Sequence, residues 1–141
     1  MEILTNSAQE TQKLGERIAA DLKPGDILAL YGDLGSGKTT FIQGLARGLG
    51  IKKRVISPTF IFIRPYSVSN KSSVKTLYHV DLYRIDKLKQ TKGLGLEEIF
   101  ADKKGIVVIE WADRIEPILP QKRLDIYFEY LTDNKRKIKI I

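Results

Sequence analysis

The sequence predicts an α/β fold: a three-layer sandwich on a mixed, partly parallel sheet that ends in a C-terminal antiparallel hairpin. Short apolar runs between turn residues alternate with segments whose apolar residues recur every three or four positions, as strands and helices alternate in α/β domains. The last segment alternates apolar and polar residues on both sides of a polar turn. The length of 141 residues suits one domain, so we expect residues 1–141 to fold as a unit.

The N-terminal half is predicted to contain two helices around one buried strand. Ser7 and Glu10 have the spacing of a capping box, so the first helix should begin after Ser7 and run to the turn at residues 24–26. The apolar residues 27–31 are typical of a buried parallel strand. A glycine-rich loop and a second helix follow, and Gly50 ends that helix. The buried stripes of the two helices are Leu14, Ile18 and Leu22, and Phe41, Leu45 and Leu49.

The C-terminal half is predicted to consist mainly of strands. Two segments rich in β-branched and aromatic residues, 59–66 and 75–83, are separated by a polar stretch and should form a hairpin. A short helix is expected at residues 96–100, before the apolar strand at residues 106–109. The final hairpin is built from residues 124–130, a turn at residues 132–134, and a return strand with Ile138 and Ile140.

The composition excludes several kinds of site. The chain has no cysteine, so disulfides and cysteine-based zinc sites are excluded, and one histidine cannot form a histidine metal cluster. No apolar run is long enough to span a bilayer and the first residues lack the pattern of a signal peptide, so we expect a cytoplasmic protein without membrane contact. The net charge of +7 favours contact with polyanions such as RNA, although such lysine clusters are more often solvated surface.

The glycine-rich loop matches the phosphate-binding pattern G-x-x-x-x-G-K-[ST] and lies between a predicted strand and a predicted helix, as this pattern requires. Its glycines allow successive N–H groups to point at a phosphate, and the helix adds its positive end. Lys38 would bind the β- and γ-phosphates, and the Thr39 hydroxyl would bind Mg²⁺. The fold is therefore expected to be P-loop NTPase-like. The residues expected to contact the nucleotide are Asp33, Leu34, Gly35, Ser36, Gly37, Lys38, Thr39 and Thr40.

Two predicted strands end in an acidic residue that could face this loop. Asp81 follows the apolar residues of the strand at 75–83, and Glu110 follows the strand at 106–109. Parallel strands carry such acids to the edge of the sheet where a nucleotide binds. We assign Asp81 to Mg²⁺, directly or through water. Glu110 could hold the water shell of the metal or polarise the attacking water.

Two further segments bear on the nucleotide. Ser57-Pro58-Thr59-Phe60 resembles a switch in which a threonine hydroxyl senses the γ-phosphate, although such a sequence is more often a loop that enters a strand. Common GTPases recognise guanine with an Asn-Lys-x-Asp segment. The comparable residues 70–73 lack the final aspartate, which favours ATP.

Four blocks together resemble the TsaE (YjeE) family, the P-loop ATPases of bacterial threonylcarbamoyladenosine modification of tRNA. The blocks are residues 32–41, residues 57–60, His79-Val80-Asp81-Leu82-Tyr83-Arg84, and Ile109-Glu110-Trp111. The resemblance implies Mg²⁺-dependent binding of ATP and ADP, slow ATP hydrolysis, and a partnership with TsaD and TsaB, which transfer the threonylcarbamoyl group. On this view tRNA is a partner only through the complex, and DNA is not expected as a partner.

The resemblance also assigns roles to single residues. Catalytic roles fall on Lys38, Thr59 and Glu110, and metal binding on Thr39, Asp81 and Glu110. Trp111 would lie near the nucleotide, although a half-buried aromatic residue closing the sheet edge is an equally good interpretation. Ser7 and Thr11 match the opening of the family, so the base or ribose is expected near them. His79 could orient Asp81 or contact a partner, and a lone histidine on a strand is more often structural.

The sequence departs from the family in two places. Ser36 replaces a small apolar residue, and residues 87–92 are basic where acidic residues are usual, so partner contacts there cannot be transferred. Two other functions stay open. A small-molecule P-loop kinase would need a lid, for which only residues 87–104 are available, and they lack arginine. An RNA-binding module with a secondary nucleotide site would need aromatic residues among its basic clusters.

Overall fold

The computed structural model describes residues 1–56, 62–69 and 72–141, and within these ranges seven strands form one sheet. The strands are β1 (Glu2–Thr5), β2 (Ile27–Tyr31), β3 (Ile63–Ser67), β4 (Thr76–Asp81), β5 (Gly105–Glu110), β6 (Leu124–Tyr130) and β7 (Arg136–Ile140). The helices are α1 (Ala8–Asp21), α2 (Lys38–Gly48) and α3 (Leu96–Phe100), with 3₁₀ segments at Leu88–Thr91 and Ala112–Ile118. The strand order is β1-β7-β6-β2-β5-β4-β3.

The sheet is parallel at its centre and antiparallel at both edges. β2 pairs in parallel with β5 and β6, and β4 pairs in parallel with β5. β3 pairs antiparallel with β4, and β7 pairs antiparallel with β6 and β1. β5 is buried along its whole length, as expected for a parallel strand that is covered on both faces. The carboxyl ends of β2, β4 and β5 therefore meet at one edge of the sheet.

Each face of the sheet has its own apolar core. On one face, Leu14 of α1 and Phe41 of α2 pack with strand residues such as Val108. On the other face, Val107 and the alternate residues of neighbouring strands pack with α3 and with Ile115 in the second 3₁₀ segment. Side chains alternate between faces along a strand, so neighbouring residues of β5 enter different cores. The prediction of a three-layer sandwich on a mixed sheet with a C-terminal hairpin is confirmed.

The two helices on the first face approach each other closely through glycines. A Cβ atom added to Gly44 of α2 would lie 2.0 Å from the carbonyl oxygen of Gln12 in α1. A Cβ atom added to Gly15 of α1 would lie 2.4 Å from the carbonyl oxygen of Phe41. Any side chain at these positions would separate the helices, so glycine sets the distance between α1 and α2.

The helix predictions are confirmed. The Ser7 side chain accepts a hydrogen bond from the Glu10 amide, at 3.1 Å, as an N-cap should. The Glu10 carboxylate accepts from the Asn6 amide at 2.9 Å rather than closing the capping box on Ser7. Among the described residues, no helix is long and apolar enough to cross a membrane.

The strand predictions need three corrections. β1 was not predicted, because four residues are too few to show a clear alternation. β4 ends at Asp81, two residues before the predicted end, because the chain turns there and the Tyr83 amide donates to the Asp81 carboxylate. β3 begins at Ile63, after a bend at Phe62, and the remainder of the predicted strand, residues 59–61, lies outside the described residues.

Candidate functional site

The glycine-rich loop joins β2 to α2 at the edge where β4 and β5 also end. Gly32, Gly35 and Gly37 have φ angles of 147°, 80° and 104°, in the region that favours glycine. The Ser36 amide donates to the Asp33 carbonyl at 3.1 Å, which closes the turn before the helix begins. Since the amides of the first helical turn have no partner within the helix, this end of α2 is suited to bind an anion.

A cavity of about 390 Å³ opens in front of this loop. Ten residues that the sequence singled out line it: Leu34, Gly35, Ser36, Gly37, Lys38, Thr39, Thr40, Asp81, Glu110 and Trp111. Tyr83 and Arg84, which follow Asp81, also line the cavity. Phe62 and Arg136 complete the wall, and the sequence did not indicate either of them. A cavity of this size is in the range of small-ligand sites.

Lys38 is held at the floor of the cavity. Its ammonium group donates to the carbonyl oxygens of Gly32 and of Asp33, the latter at 3.0 Å, and lies 4.3 Å from the centre of the Trp111 ring. Burial lowers the pKa of Lys38, whereas the nearby carboxylates of Glu110 and Asp81 act in the opposite direction. Lys38 therefore lies close to both acids that line the cavity.

The two predicted acids lie side by side. The register of β4 and β5 pairs Asp81 with Glu110. One Glu110 carboxylate oxygen accepts from the Thr39 hydroxyl at 3.2 Å, and the other lies 2.7 Å from Nε2 of His79. Burial, and next the charge of Glu110, raise the pKa of Asp81. The sheet thus brings together the three groups that the sequence assigned to a metal.

These residues fit Mg²⁺ by their chemistry. Thr39, Asp81 and Glu110 offer hydroxyl and carboxylate oxygens, which are the ligands that Mg²⁺ prefers. Burial, and next the charge of Glu110, raise the pKa of Asp81, and a cation between the two carboxylates would relieve their repulsion. In the described ranges no group of three or more His, Asp or Glu side chains could hold a metal by itself. A site with few protein ligands is usual for Mg²⁺, which keeps waters and phosphate oxygens in its shell.

Trp111 closes one side of the cavity with an unusual backbone. It has φ 60° and ψ 43°, a left-handed conformation that is rare for a bulky residue and often occurs at functional sites. The centres of the Trp111 and Tyr83 rings lie 5.3 Å apart. The Arg114 guanidinium lies 5.2 Å from the centre of the Trp111 ring, which Lys38 also contacts. Trp111 is half-buried, as expected of an aromatic residue that closes the edge of the sheet. It also lines the cavity in front of the glycine-rich loop.

Arg136 is a residue of this site that sequence analysis missed. It begins β7, and its guanidinium donates to the Gly35 carbonyl at 3.1 Å and to the Thr132 carbonyl at 2.6 Å. The guanidinium also lies 4.6 Å from the centre of the Tyr130 ring. Arg136 thereby ties the C-terminal hairpin to the glycine-rich loop. In the sequence it is one basic residue of a basic cluster, and only the pairing of distant strands singles it out.

Other predicted residues lie outside the main cavity. Ser7 and Thr11 line a smaller cavity of about 80 Å³, which shares Gly37, Thr40 and Arg136 with the main one. Thr11 is buried and its hydroxyl lies 2.8 Å from that of Thr5, so it also has a structural role. Asp33 contributes its backbone carbonyl to Lys38 rather than lining the cavity.

Thr59, the predicted switch threonine, lies outside the described residues, as does the segment around it, 57–61. Its predicted role therefore stays a prediction.

The fold and the site define an α/β protein whose glycine-rich loop and two adjacent acids converge at the carboxyl edge of a parallel sheet. The family model "Threonylcarbamoyl adenosine biosynthesis protein TsaE" matches residues 5–138. The chain belongs to the TsaE family, and its role is in the biosynthesis of threonylcarbamoyladenosine in tRNA.

Individual relatives agree with this assignment. The TsaE protein of Bacillus subtilis (strain 168) is 45% identical over 134 residues, which cover 95% of this chain and 80% of that protein. The TsaE protein of Treponema pallidum (strain Nichols) is 36% identical over 140 residues, which cover 99% of both chains. The crystal structure of Bacillus subtilis YdiB superposes with a TM-score of 0.79 at 39% identity, covering 99% of this chain and 83% of that one.

Proposed function

We propose that this chain is a Mg²⁺-dependent ATP-binding protein with weak ATPase activity. We also propose that it is the energy-coupled component of an assembly with TsaB and TsaD that modifies tRNA. The observation that supports the nucleotide site best is the hydrogen bond of 3.2 Å between Thr39 of the loop and Glu110 at the end of β5, with Asp81 beside it. This contact joins the two halves of a P-loop site, the phosphate-binding loop and the strand-end acid.

The residues would divide the work of converting ATP and water to ADP and phosphate. Lys38 and the loop amides bind the β- and γ-phosphates, and Thr39 and Asp81 hold Mg²⁺. When bound, Mg²⁺ would supply positive charge that offsets the negative charge of the phosphate groups. Glu110 accepts a hydrogen bond from the attacking water, which orients that water toward the γ-phosphate.

Two features support weak hydrolysis. Both carboxylate oxygens of Glu110 already take part in hydrogen bonds, with Thr39 and with His79, so fewer of their lone pairs are free to accept a proton from the attacking water. The resemblance of the sequence to the TsaE family implies the same slow turnover.

The base and the wider assembly are also part of the proposal. ATP is preferred over GTP because residues 70–73 lack the aspartate that recognises guanine. The small cavity at Ser7 and Thr11 adjoins the main one through Thr40, so it is a suitable place for the ribose or base. We further propose a single domain in the cytoplasm that meets tRNA only through TsaB and TsaD.

The test of the nucleotide site is Lys38→Ala, with Lys53→Ala as a matched control that removes an exposed lysine outside the cavity. A charge-assisted hydrogen bond contributes about 1.5–3 kcal/mol, so the affinity for Mg-ATP should fall by roughly 10- to 100-fold in Lys38→Ala and stay unchanged in the control. Calorimetry measures the affinity, and circular dichroism verifies the fold. Retained ATP turnover together with retained tRNA modification in Lys38→Ala would refute the proposal.

The test of the assembly is co-purification with TsaD and TsaB, with and without ATP. We expect capture of both proteins to depend on nucleotide and to be lost in Lys38→Ala. Two other outcomes would point elsewhere. Transfer of phosphate from ATP to a metabolite would favour a small-molecule kinase. Steeply salt-dependent binding of tRNA in the absence of partners would favour an RNA-binding module.

A further inference from the structure

His79 forms a buried pair with one oxygen of Glu110. Nε2 of His79 lies 2.7 Å from that oxygen, and the two side chains are 0% and 4% exposed. His79 lies on β4 two residues before Asp81, so both side chains point to the face of α2. Since Asp81 pairs with Glu110 across the strands, His79 sits diagonally beneath the acid and approaches it from inside the sheet.

The geometry assigns the proton on this imidazole. A carboxylate only accepts hydrogen bonds, so Nε2 carries the hydrogen and donates it to Glu110. Nδ1 is buried and, among the described residues, has no hydrogen-bond partner. The hydrogen-bonding capacity of the His79 side chain is therefore directed at one oxygen of Glu110.

The two hydrogen-bond partners of the Glu110 carboxylate, Thr39 and His79, come from different parts of the fold. The Thr39 hydroxyl comes from the first turn of α2, directly after the glycine-rich loop, and is itself an expected ligand of Mg²⁺. His79 comes from the buried interior of the sheet, and among the described residues its side chain has no other hydrogen-bond partner. If Thr39 bound a metal, the contact with His79 would still hold the Glu110 side chain.

We infer that His79 is a positioning residue, which holds one oxygen of Glu110 so that the other is presented to Mg²⁺ and its water. The inference rests on the proposed function of the site. Histidine can do this because Nε2 lies at the end of a rigid ring, far enough from the strand to reach the neighbouring strand end. A purely structural role explains the pair less well, because a buried hydrogen-bonded pair gives little net stability compared with apolar residues of the same shape.

The first experiment uses the unmodified protein. The chain has a single histidine, so long-range ¹⁵N–¹H NMR of the imidazole gives one unambiguous pattern. We expect a protonated Nε2 in the nucleotide-free protein, and a changed Nε2 resonance in Glu110→Gln. Hydrogen on Nδ1 instead of Nε2 would overturn the inference without any variant and without reference to activity.

The second experiment compares His79→Leu, which removes the donor, with His79→Gln, which places an amide N–H near the position of Nε2. Tyr78→Phe is the matched control, since Tyr78 lies on the same strand and donates to the Asp102 carboxylate at 2.6 Å, outside the cavity. Calorimetry measures ADP affinity with and without Mg²⁺, and Mn²⁺ titration followed by electron paramagnetic resonance measures the metal directly.

Loss of an outer partner of a metal ligand typically weakens metal binding about 10- to 100-fold. We expect that loss in His79→Leu, substantial rescue in His79→Gln and no loss in Tyr78→Phe, with metal-free ADP affinity unchanged in all three. Metal affinity in folded His79→Leu equal to that of wild type would overturn this inference alone. If His79→Leu does not fold, metal affinity in His79→Gln as poor as in Glu110→Gln would overturn it. Absence of any effect of Mg²⁺ on ADP binding by the wild type would instead overturn the proposed function, and the inference with it.

Discussion

Substitution of Gly44 by alanine tests the packing that places the glycine-rich loop. α2 starts at this loop and lies against α1, with Gly44 facing the backbone of Gln12. A Cβ at this position would lie 2.0 Å from the Gln12 carbonyl oxygen, whereas Cβ contacts under 3.0 Å essentially never occur. The helices must therefore separate by about 1 Å, because a carbonyl oxygen within a helix cannot rotate away.

The sign of the effect makes this substitution informative. In an exposed helix, glycine to alanine stabilises by about 1 kcal/mol, because alanine loses less backbone entropy. Overpacking of a close contact costs about 1–3 kcal/mol, and more where backbone must move. At Gly44 the backbone must move, so the cost of overpacking should lie at the upper end of this range. After the gain of about 1 kcal/mol from alanine is subtracted, we expect a net destabilisation of about 1–2 kcal/mol. For a chain of this length the midpoint of thermal unfolding should fall by roughly 3–6 °C.

Urea unfolding followed by circular dichroism measures the free-energy change. Gly48→Ala is the graded control, since its Cβ would approach the Ala19 side chain at 2.7 Å and the Glu16 Cα at 2.9 Å, a smaller overlap. We expect it to destabilise less than Gly44→Ala. A Gly44→Ala protein that is as stable as wild type, or more stable, would show that α1 and α2 do not touch through glycine.

Three further predictions concern the site and its surroundings. Tyr78→Phe removes the hydrogen bond that lowers the pKa of Asp102, so it should destabilise the fold by about 0.5–1 kcal/mol at neutral pH. The pKa of Asp102 in the folded state lies below its unfolded value. The difference in stability between wild type and Tyr78→Phe should therefore shrink as the pH falls through the folded pKa. A difference that grows in acid would contradict the contact. The single tryptophan, Trp111, should change its fluorescence when Mg-ADP draws the Lys38 ammonium away from its ring, and Lys38→Ala should abolish the change. Thr39→Val should remove the effect of Mg²⁺ on ADP affinity, measured by calorimetry with and without EDTA, and an unaltered effect would exclude this hydroxyl as a ligand.

Sequence reasoning succeeded where one short segment contains the whole signal. The loop at residues 32–39 combines glycines, a lysine and a hydroxyl at fixed spacing, and the strand–loop–helix context is continuous with it. Asp81 and Glu110 were predicted to lie at strand ends for a similar reason, since each directly follows an apolar run, and the structure places them there. Their placement at one edge then follows from the rule that parallel strands share a direction.

The same reasoning failed where the signal is spread over the chain. Nothing near Arg136 indicates that it reaches the Gly35 carbonyl, because the contact depends on β6 pairing beside β2 and β7 beside β6. The interpretation of His79 was incomplete for a related reason. Its partner is Glu110 on the adjacent strand, whereas the sequence suggested Asp81 on its own strand.

Local patterns therefore decided the elements, the glycine-rich loop and the two acids at strand ends, because backbone periodicity and loop conformation depend on residues close in the chain. The folded sheet alone decided which side chains meet: the His79–Glu110 pair, the Arg136 bridge, and the glycine contact between α1 and α2. The physical reason is that these contacts depend on strand order, register and helix distance. Those quantities are set by the packing of segments that lie far apart in the sequence.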